Sequence, residues 1–209
     1  MTALTMLPRR HLLRAAPLLA VPALLLRPAL AQLRETPAQM EGPYYPRAIP
    51  ADADADLRRV AGQAATARGR PLLLTGILRA TDGTPLPGGR VEIWQADHAG
   101  IYLHPRDARI AERDPGFQGY GRAVADGEGR YAFRTIRPGL YPGRTAHIHL
   151  RARPVDGQAL TTQVYFPDEP RNDGDVLLRR VTGARRDLLM ASLSPMDAGQ
   201  RAEFDIFLG

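Results

Sequence analysis

The stretch "RTAHIHLRARP" (residues 144–154) alternates side chains with a period of two, Ala146, Ile148 and Leu150 falling on one side and Thr145, His147 and His149 on the other. Only an extended strand sends successive side chains to opposite faces, so this segment constrains the fold more than any other. Similar texture recurs in "PLLLTGILRA", "RVEIWQAD", "DGEGRYAFRTI", "ALTTQVYF" and "AEFDIFL", set apart by Gly/Pro-rich clusters such as "TDGTPLPGG". Short strands punctuated by turn residues predict an all-β chain, a β-sandwich or barrel. The first two runs, around their turn cluster, predict a hairpin or a closely related connection. His98 to about Arg122 reads as a long loop, and the Ala/Asp/Arg-rich segment 51–70 as an exposed one. "DVLLRRVTGARRDLLMASL" is the one helix-like stretch.

Residues 1–31 read as an export signal. Arg9, Arg10 and Arg14 precede a 12-residue apolar run, and "ALA" at 29–31 offers a small-residue cleavage site before Gln32. The run is shorter than the roughly 20 apolar residues of a membrane span, so no stable span is expected after signal removal. An uncleaved anchor or a buried helix is the competing reading. Arg9-Arg10 points to the twin-arginine route and a bacterial periplasmic destination, although Pro8 and His11 depart from that motif. Residues 32–70 are then expected to form an extended segment and loop, and 71–209 the domain core.

All 28 basic residues are arginine, and loss of the signal removes four of them and no acid, lowering the formal charge from +6 to +2. No basic block with interleaved aromatics remains, which argues against a nucleic-acid partner. The remaining 178 residues suffice for one domain with a proper core. The absence of cysteine excludes disulfides, thiolate metal sites and a cysteine nucleophile.

On a strand, His147 and His149 lie about 6.6 Å apart at Cα and share a face, so both imidazoles can converge on one ion. Two hydrogen-bonded or surface histidines would give the same pattern. His98 and His104, both in the long loop, are the other histidines beyond the signal. No carboxylate lies within "YPGRTAHIH"; the nearest hard donor there is Tyr141, and a phenolate suits a high-valent ion such as ferric iron. Zinc would need further His or carboxylate ligands.

The motifs "VEIWQADHAGIYLH", "GYGRAVADGEGRYAFRTIRPGLYPGRTAHIHL" and "LTTQVYF" resemble the intradiol ring-cleavage dioxygenases, their protocatechuate-type members in particular. The resemblance runs from about Thr36 to Phe207 and is most specific over 90–166. It implies a single β-sandwich domain with long loops and little helix, and Fe(3+) held by Tyr102, Tyr141, His147 and His149. The implied reaction opens a catechol with O2 between its two hydroxyl-bearing carbons, giving a cis,cis-muconate. The resemblance makes Tyr141 the displaced ligand that takes up a substrate proton, and Arg144 the cation stabilising charge on the ring. It gives Gln163 a place in the pocket and Tyr44 and Tyr45 places at the substrate mouth. Trp94 is expected in the core, and His98 and His104 as non-ligands. No organic cofactor is implied, and a homo-oligomer is compatible with the family.

The chain also departs from the family pattern. Between Tyr141 and His147 the protocatechuate-type members carry a longer, Trp-containing insertion, here reduced to "PGRTA". That should open the site and weaken recognition of a ring carboxylate. The helical N-terminal dimerisation region of catechol 1,2-dioxygenases has no counterpart. The competing functions are a non-catalytic exported β-sandwich module binding an aromatic or glycan, and a zinc or copper enzyme built on His-x-His.

Overall fold

Every second side chain of β1 (Pro71–Ala80) is buried, and Leu72, Leu74 and Leu78 point into the core. The computed structural model describes residues 33–209; the export signal expected over 1–31 lies outside the described residues. The same alternation places Tyr131 and Phe133 of β4 (Arg130–Ile136) and Ala202 of β8 (Gln200–Glu203) beside those leucines. These strands form one sheet in the order β4–β1–β8–β7, where β7 is Ser192–Pro195, and β9 (Ile206–Leu208) pairs with the far end of β1.

The second sheet runs β3 (Tyr120–Val124), β2 (Arg90–Trp94), β5 (His147–Arg153) and β6 (Leu160–Tyr165), antiparallel throughout. Val91, Ile93, Ile148, Leu150 and Val164 from this sheet meet Leu74, Phe133 and Ile136 from the first in one core cluster. Each such side chain, fully withdrawn from water, stabilises the sandwich by about 1.5–3 kcal/mol before entropy is counted. No helix among the described residues is long and apolar enough to cross a membrane.

Four expectations need correcting. β1 and β2 are not a hairpin: β1 pairs with β4, β8 and β9, and the Gly/Pro cluster carries the chain across to the other sheet. Alternation tells which side chains point inward, but not which strand lies alongside. Segment 51–70 is not simply an exposed loop, since Leu57 is fully buried. Its N–H donates to the Arg134 carbonyl and its carbonyl accepts from Gln118 N, stitching the segment across the sandwich edge. The helix-like stretch breaks into a 3-10 turn at Leu178–Arg180 and a four-residue helix α1 (Ala184–Asp187), with Val181 extended between them. Its apolar residues Leu178 and Leu189 pack on Tyr165 rather than along one helix face. "AEFDIFL" is two strands, separated where the Asp205 carboxylate accepts from Ile77 N at 2.9 Å.

Strand β5 is buried on both faces. Ile148, Leu150 and Ala152 enter the main core, while the histidine face turns to a second cluster built on Trp94, Tyr102 and Tyr120. The N-terminal segment helps cover that face. Gln39 N donates to Thr161 O at 2.9 Å, Thr162 Oγ1 donates to Pro37 O at 2.7 Å, and Thr36 N donates to Phe207 O at 3.0 Å.

Candidate functional site

Tyr102 stands on the loop after β2 and is buried. Asp97 organises that loop, its carboxylate accepting from Ala99 N (2.8 Å), Ile101 N (3.0 Å) and Asp114 N (2.8 Å). Asp107 accepts from Tyr102 N itself at 2.8 Å. These charge-assisted bonds hold a loop that has no ladder of its own.

Tyr141 opens the turn Tyr141-Pro142-Gly143-Arg144, closed by Arg144 N donating to Tyr141 O at 3.3 Å. The two tyrosine-bearing segments are pressed together at Gly100 (φ 78°), where a Cβ would come within 2.1 Å of the Leu140 carbonyl oxygen. Only glycine allows that approach, and it fixes the spacing of the two phenols.

His147 Nδ1 lies 2.7 Å from the Thr145 carbonyl oxygen, so the proton sits on Nδ1 and Nε2 is unprotonated. Around that Nε2 gather Tyr102 Oη at 3.5 Å, Tyr141 Oη at 3.3 Å and His149 Nε2 at 3.3 Å. Four donor atoms from three separate segments therefore face one point. Among the described residues no group of three His, Cys, Asp or Glu is placed to hold a metal, so the phenols are what complete a ligand set here. Two imidazoles and two phenols fit a hard, highly charged ion.

Electrostatics leave this set neutral. Burial holds His147 down at about 3, helped by the Arg144 cation, and burial with His147 beside it holds His149 well below its ordinary value. Burial pushes the Tyr102 phenol far up, and raises Tyr141 despite the opposing Arg144 charge. A cation entering the site must therefore displace two phenol protons, and it finds both imidazoles already unprotonated.

Arg144 is held from three sides. Its Nε donates to Asp175 Oδ2 at 2.8 Å, and its Nη2 donates to Gln163 Oε1 at 2.6 Å and to Tyr165 Oη at 3.2 Å. The remaining Nη1 points at His147 Nε2, 3.3 Å away. Burial works against this cation, but its hydrogen bond to Asp175 and the charges around it keep it protonated above the ordinary arginine range. Asp175 was not foreseen from sequence. Its side chain is fully buried and accepts also from Thr145 N, Leu177 N and Leu178 N. Burial opposes its charge too, yet Arg144 and the backbone donors win, and its pKa lies below the usual carboxylate range. The one hint in the sequence is an aspartate just ahead of the apolar "VLL", a capping position with no motif around it.

Gln163, opposite His149 in the β5–β6 register, also donates Nε2 to Met40 O at 3.1 Å, tying the N-terminal segment to the site. A cavity of about 290 Å³ opens here, walled by Met40, Pro43 and Tyr44 on the N-terminal segment and by Val176 and Leu177 beyond β6. Tyr141, Arg144 and His149 also line it, whereas Tyr102 does not. Tyr44 stacks on Tyr102 (4.4 Å between ring centroids, 18° between planes). Tyr45, expected at the mouth, faces elsewhere: its Oη donates to Glu92 Oε2 at 3.1 Å and its ring stands edge-on to Trp94. The chain turns at Tyr44 and bends at Tyr45, which sends the two side chains different ways, and only Tyr44 reaches the cavity. Trp94 is buried as expected, but in the aromatic cluster behind His149 rather than in the main core. His104 accepts from Arg106 N and touches Tyr44, and His98 lies 3.9 Å from Asp114; neither joins the four converging atoms.

A family model described as Dioxygenase matches residues 40–208. The β chain of protocatechuate 3,4-dioxygenase from Burkholderia cepacia is 36% identical over 188 residues, spanning 84% of this chain and 80% of that one. Hydroxyquinol 1,2-dioxygenase from a Rhizobium strain is 30% identical over 154 residues, 65% of this chain and 49% of that protein, so the match spans about half of that relative. Among solved structures, the dioxygenase domain of a dioxygenase–carbohydrate-binding protein fusion from Streptomyces sp. SirexAA-E superposes with a TM-score of 0.66 at 34% identity. That alignment covers 84% of this chain and 98% of that domain. Sandwich, site and relatives together define a dioxygenase. The chain belongs to the intradiol ring-cleavage dioxygenase family and is an enzyme of that family.

Proposed function

We propose that the protein binds Fe(3+) through Tyr102, Tyr141, His147 and His149 and opens catechols with O2 to cis,cis-muconate-type products. The observation that carries this reading is the convergence of Tyr102 Oη, Tyr141 Oη and His149 Nε2 within 3.5 Å of the unprotonated His147 Nε2. Bound there, ferric iron would supply Lewis acidity and accept electron density from a chelated catecholate, leaving the ring open to O2. Both oxygen atoms of O2 end in the product, so no external reductant or organic cofactor is called for.

The protein residues divide the remaining work. Tyr141 lines the cavity and Tyr102 does not, which makes the Tyr141 phenolate the one that meets substrate and takes up a catechol proton on Oη. Tyr102, buried under Tyr44, stays as a fixed anionic ligand. Arg144 directs Nη1 toward the reacting centre while Asp175, Gln163 and Tyr165 hold its other edge. A cation fixed beforehand in a water-poor pocket stabilises charge developing on the ring without reorganising during the reaction. The order of basic, apolar and small residues over 1–31 supports a periplasmic location for this chemistry.

The test is spectroscopic. Protein purified after iron-replete expression should be burgundy from tyrosinate-to-iron charge transfer, and the band should shift when catechol is added without O2. A colourless, iron-free protein that consumes no O2 with any catechol would falsify this reading and favour an exported binding module.

A further inference from the structure

We infer that the substrate is a catechol carrying an apolar substituent on the ring, not a carboxylated one; this rests on the ring-cleavage reading above. Two separate segments bring apolar side chains to the cavity lining, Met40 and Pro43 from the N-terminal segment and Val176 and Leu177 from beyond β6. Met40 is 59% exposed and Val176 42% exposed, so each segment leaves apolar surface facing solvent at this cavity. Exposed apolar groups lining one cavity mark a place where an apolar ligand is received.

Charge points the same way. Arg144 is the one ionised residue lining the cavity among the described residues. Its Nε and Nη2 are committed to Asp175, Gln163 and Tyr165, and Nη1 is turned to His147 Nε2, away from any role as partner for a group beside Met40 or Val176. The two acids next to these residues in sequence are both engaged, Glu41 with Arg151 and Asp175 with Arg144. A ring carboxylate there would be taken out of water with no cation to meet it, whereas an alkyl group would cover the exposed faces of Met40 and Val176. Catechol oxygens directed to the four donor atoms leave the opposite side of the ring facing these apolar side chains.

The experiment is an anaerobic titration of the ferric protein with protocatechuate, catechol, 4-methylcatechol and 4-tert-butylcatechol, reading Kd from the tyrosinate band, followed by O2-uptake kinetics. We expect the alkylcatechols to bind about tenfold or more tightly than protocatechuate, and kcat/KM to follow the same order. Val176→Arg, at a surface position that tolerates the longer side chain, should move the ratio of protocatechuate to 4-methylcatechol binding by about tenfold toward the acid. Protocatechuate bound as tightly as the alkylcatechols, or a Val176→Arg ratio equal to wild type, would overturn the inference while leaving ring cleavage intact. Wild-type protein that shows neither the band nor turnover of any catechol overturns both.

Discussion

The Trp94 indole lies parallel to the His149 imidazole, with ring centroids 5.0 Å apart and 8° between planes. Gly42 closes on the same imidazole, where a Cβ would come within 3.2 Å of His149 Cε1. His149 Nδ1 has no hydrogen-bond partner, unlike His147 Nδ1, which is tied to Thr145. Packing thus does for one histidine what a hydrogen bond does for the other. Trp94→Phe should keep iron affinity near wild type, because a flat ring remains. Trp94→Leu should weaken it about 10- to 100-fold, the range seen when support behind a ligand is lost. Chelator competition on the iron-loaded proteins measures this, with melting of the iron-free forms as the control for general destabilisation.

Asp175 is the keystone of the arginine site. Asp175→Ala leaves the buried Arg144 cation unpaired and strands three backbone N–H donors, at a cost of about 3–5 kcal/mol. Asp175→Asn keeps an acceptor oxygen and should cost less. Urea unfolding of both variants checks the order.

Replacing Arg144 itself by lysine should preserve iron binding and lower kcat by about 10²- to 10³-fold, since a lysine cannot hold Asp175 and Gln163 and still face the ring. Steady-state O2 uptake beside the intensity of the tyrosinate band separates the two effects. Loss of the band together with turnover would show instead that Arg144 holds the iron ligands in place.

Acid should destabilise the iron-free protein from near neutrality downward. His147, His149 and His104 all have folded pKa values below the unfolded value of 6.5, through burial and neighbouring positive charge. Below pH 6.5 the unfolded chain therefore binds protons that the folded one refuses. Stability is fully present above 6.5 and declines as pH falls, by up to about 1.4 kcal/mol per pH unit for each histidine. For His147 the decline continues to about pH 3. Asp175, with its folded pKa depressed, adds a loss that begins only below its unfolded value of 3.8. Chemical unfolding at pH 7.5, 6.0 and 5.0 reads the slope, and a flat profile would contradict burial of the neutral imidazoles.

Leu57→Ala should cost about 2–5 kcal/mol, as for a fully buried leucine, even though its segment reads as solvent-exposed. Thermal or urea unfolding is sufficient to decide it.

That leucine shows where sequence reading stops. Strands β1, β2, β4, β5 and β6 were legible because each carries its own alternation, which is a local property. Strand β3 was not, since "YGRAV" has a glycine and too few apolar residues to announce a pleat, and pairing with β2 makes it a strand. Tyr102, Tyr141, His147 and His149 could be named because their motifs resemble a family, and their meeting at one point is visible only in three dimensions. Leu57, Asp175 and the stacking of Trp94 on His149 depend on contacts between distant segments, and no periodicity encodes those. Tyr44 and Tyr45, adjacent and chemically alike, could be told apart only by the direction each takes off the backbone.

The N-terminal segment has a consequence for the length of the working enzyme. Thr36 is tied to Phe207, Pro37 and Gln39 to β6, Gln39 to Tyr165, and Met40 to Gln163, before Gly42 and Tyr44 reach the histidine and tyrosine of the site. One wall of the cavity beside the candidate ligands is therefore made from residues ahead of the first strand. Any trimming of the chain, by a processing peptidase or by an experimenter seeking a minimal enzyme, has to stop short of Thr36.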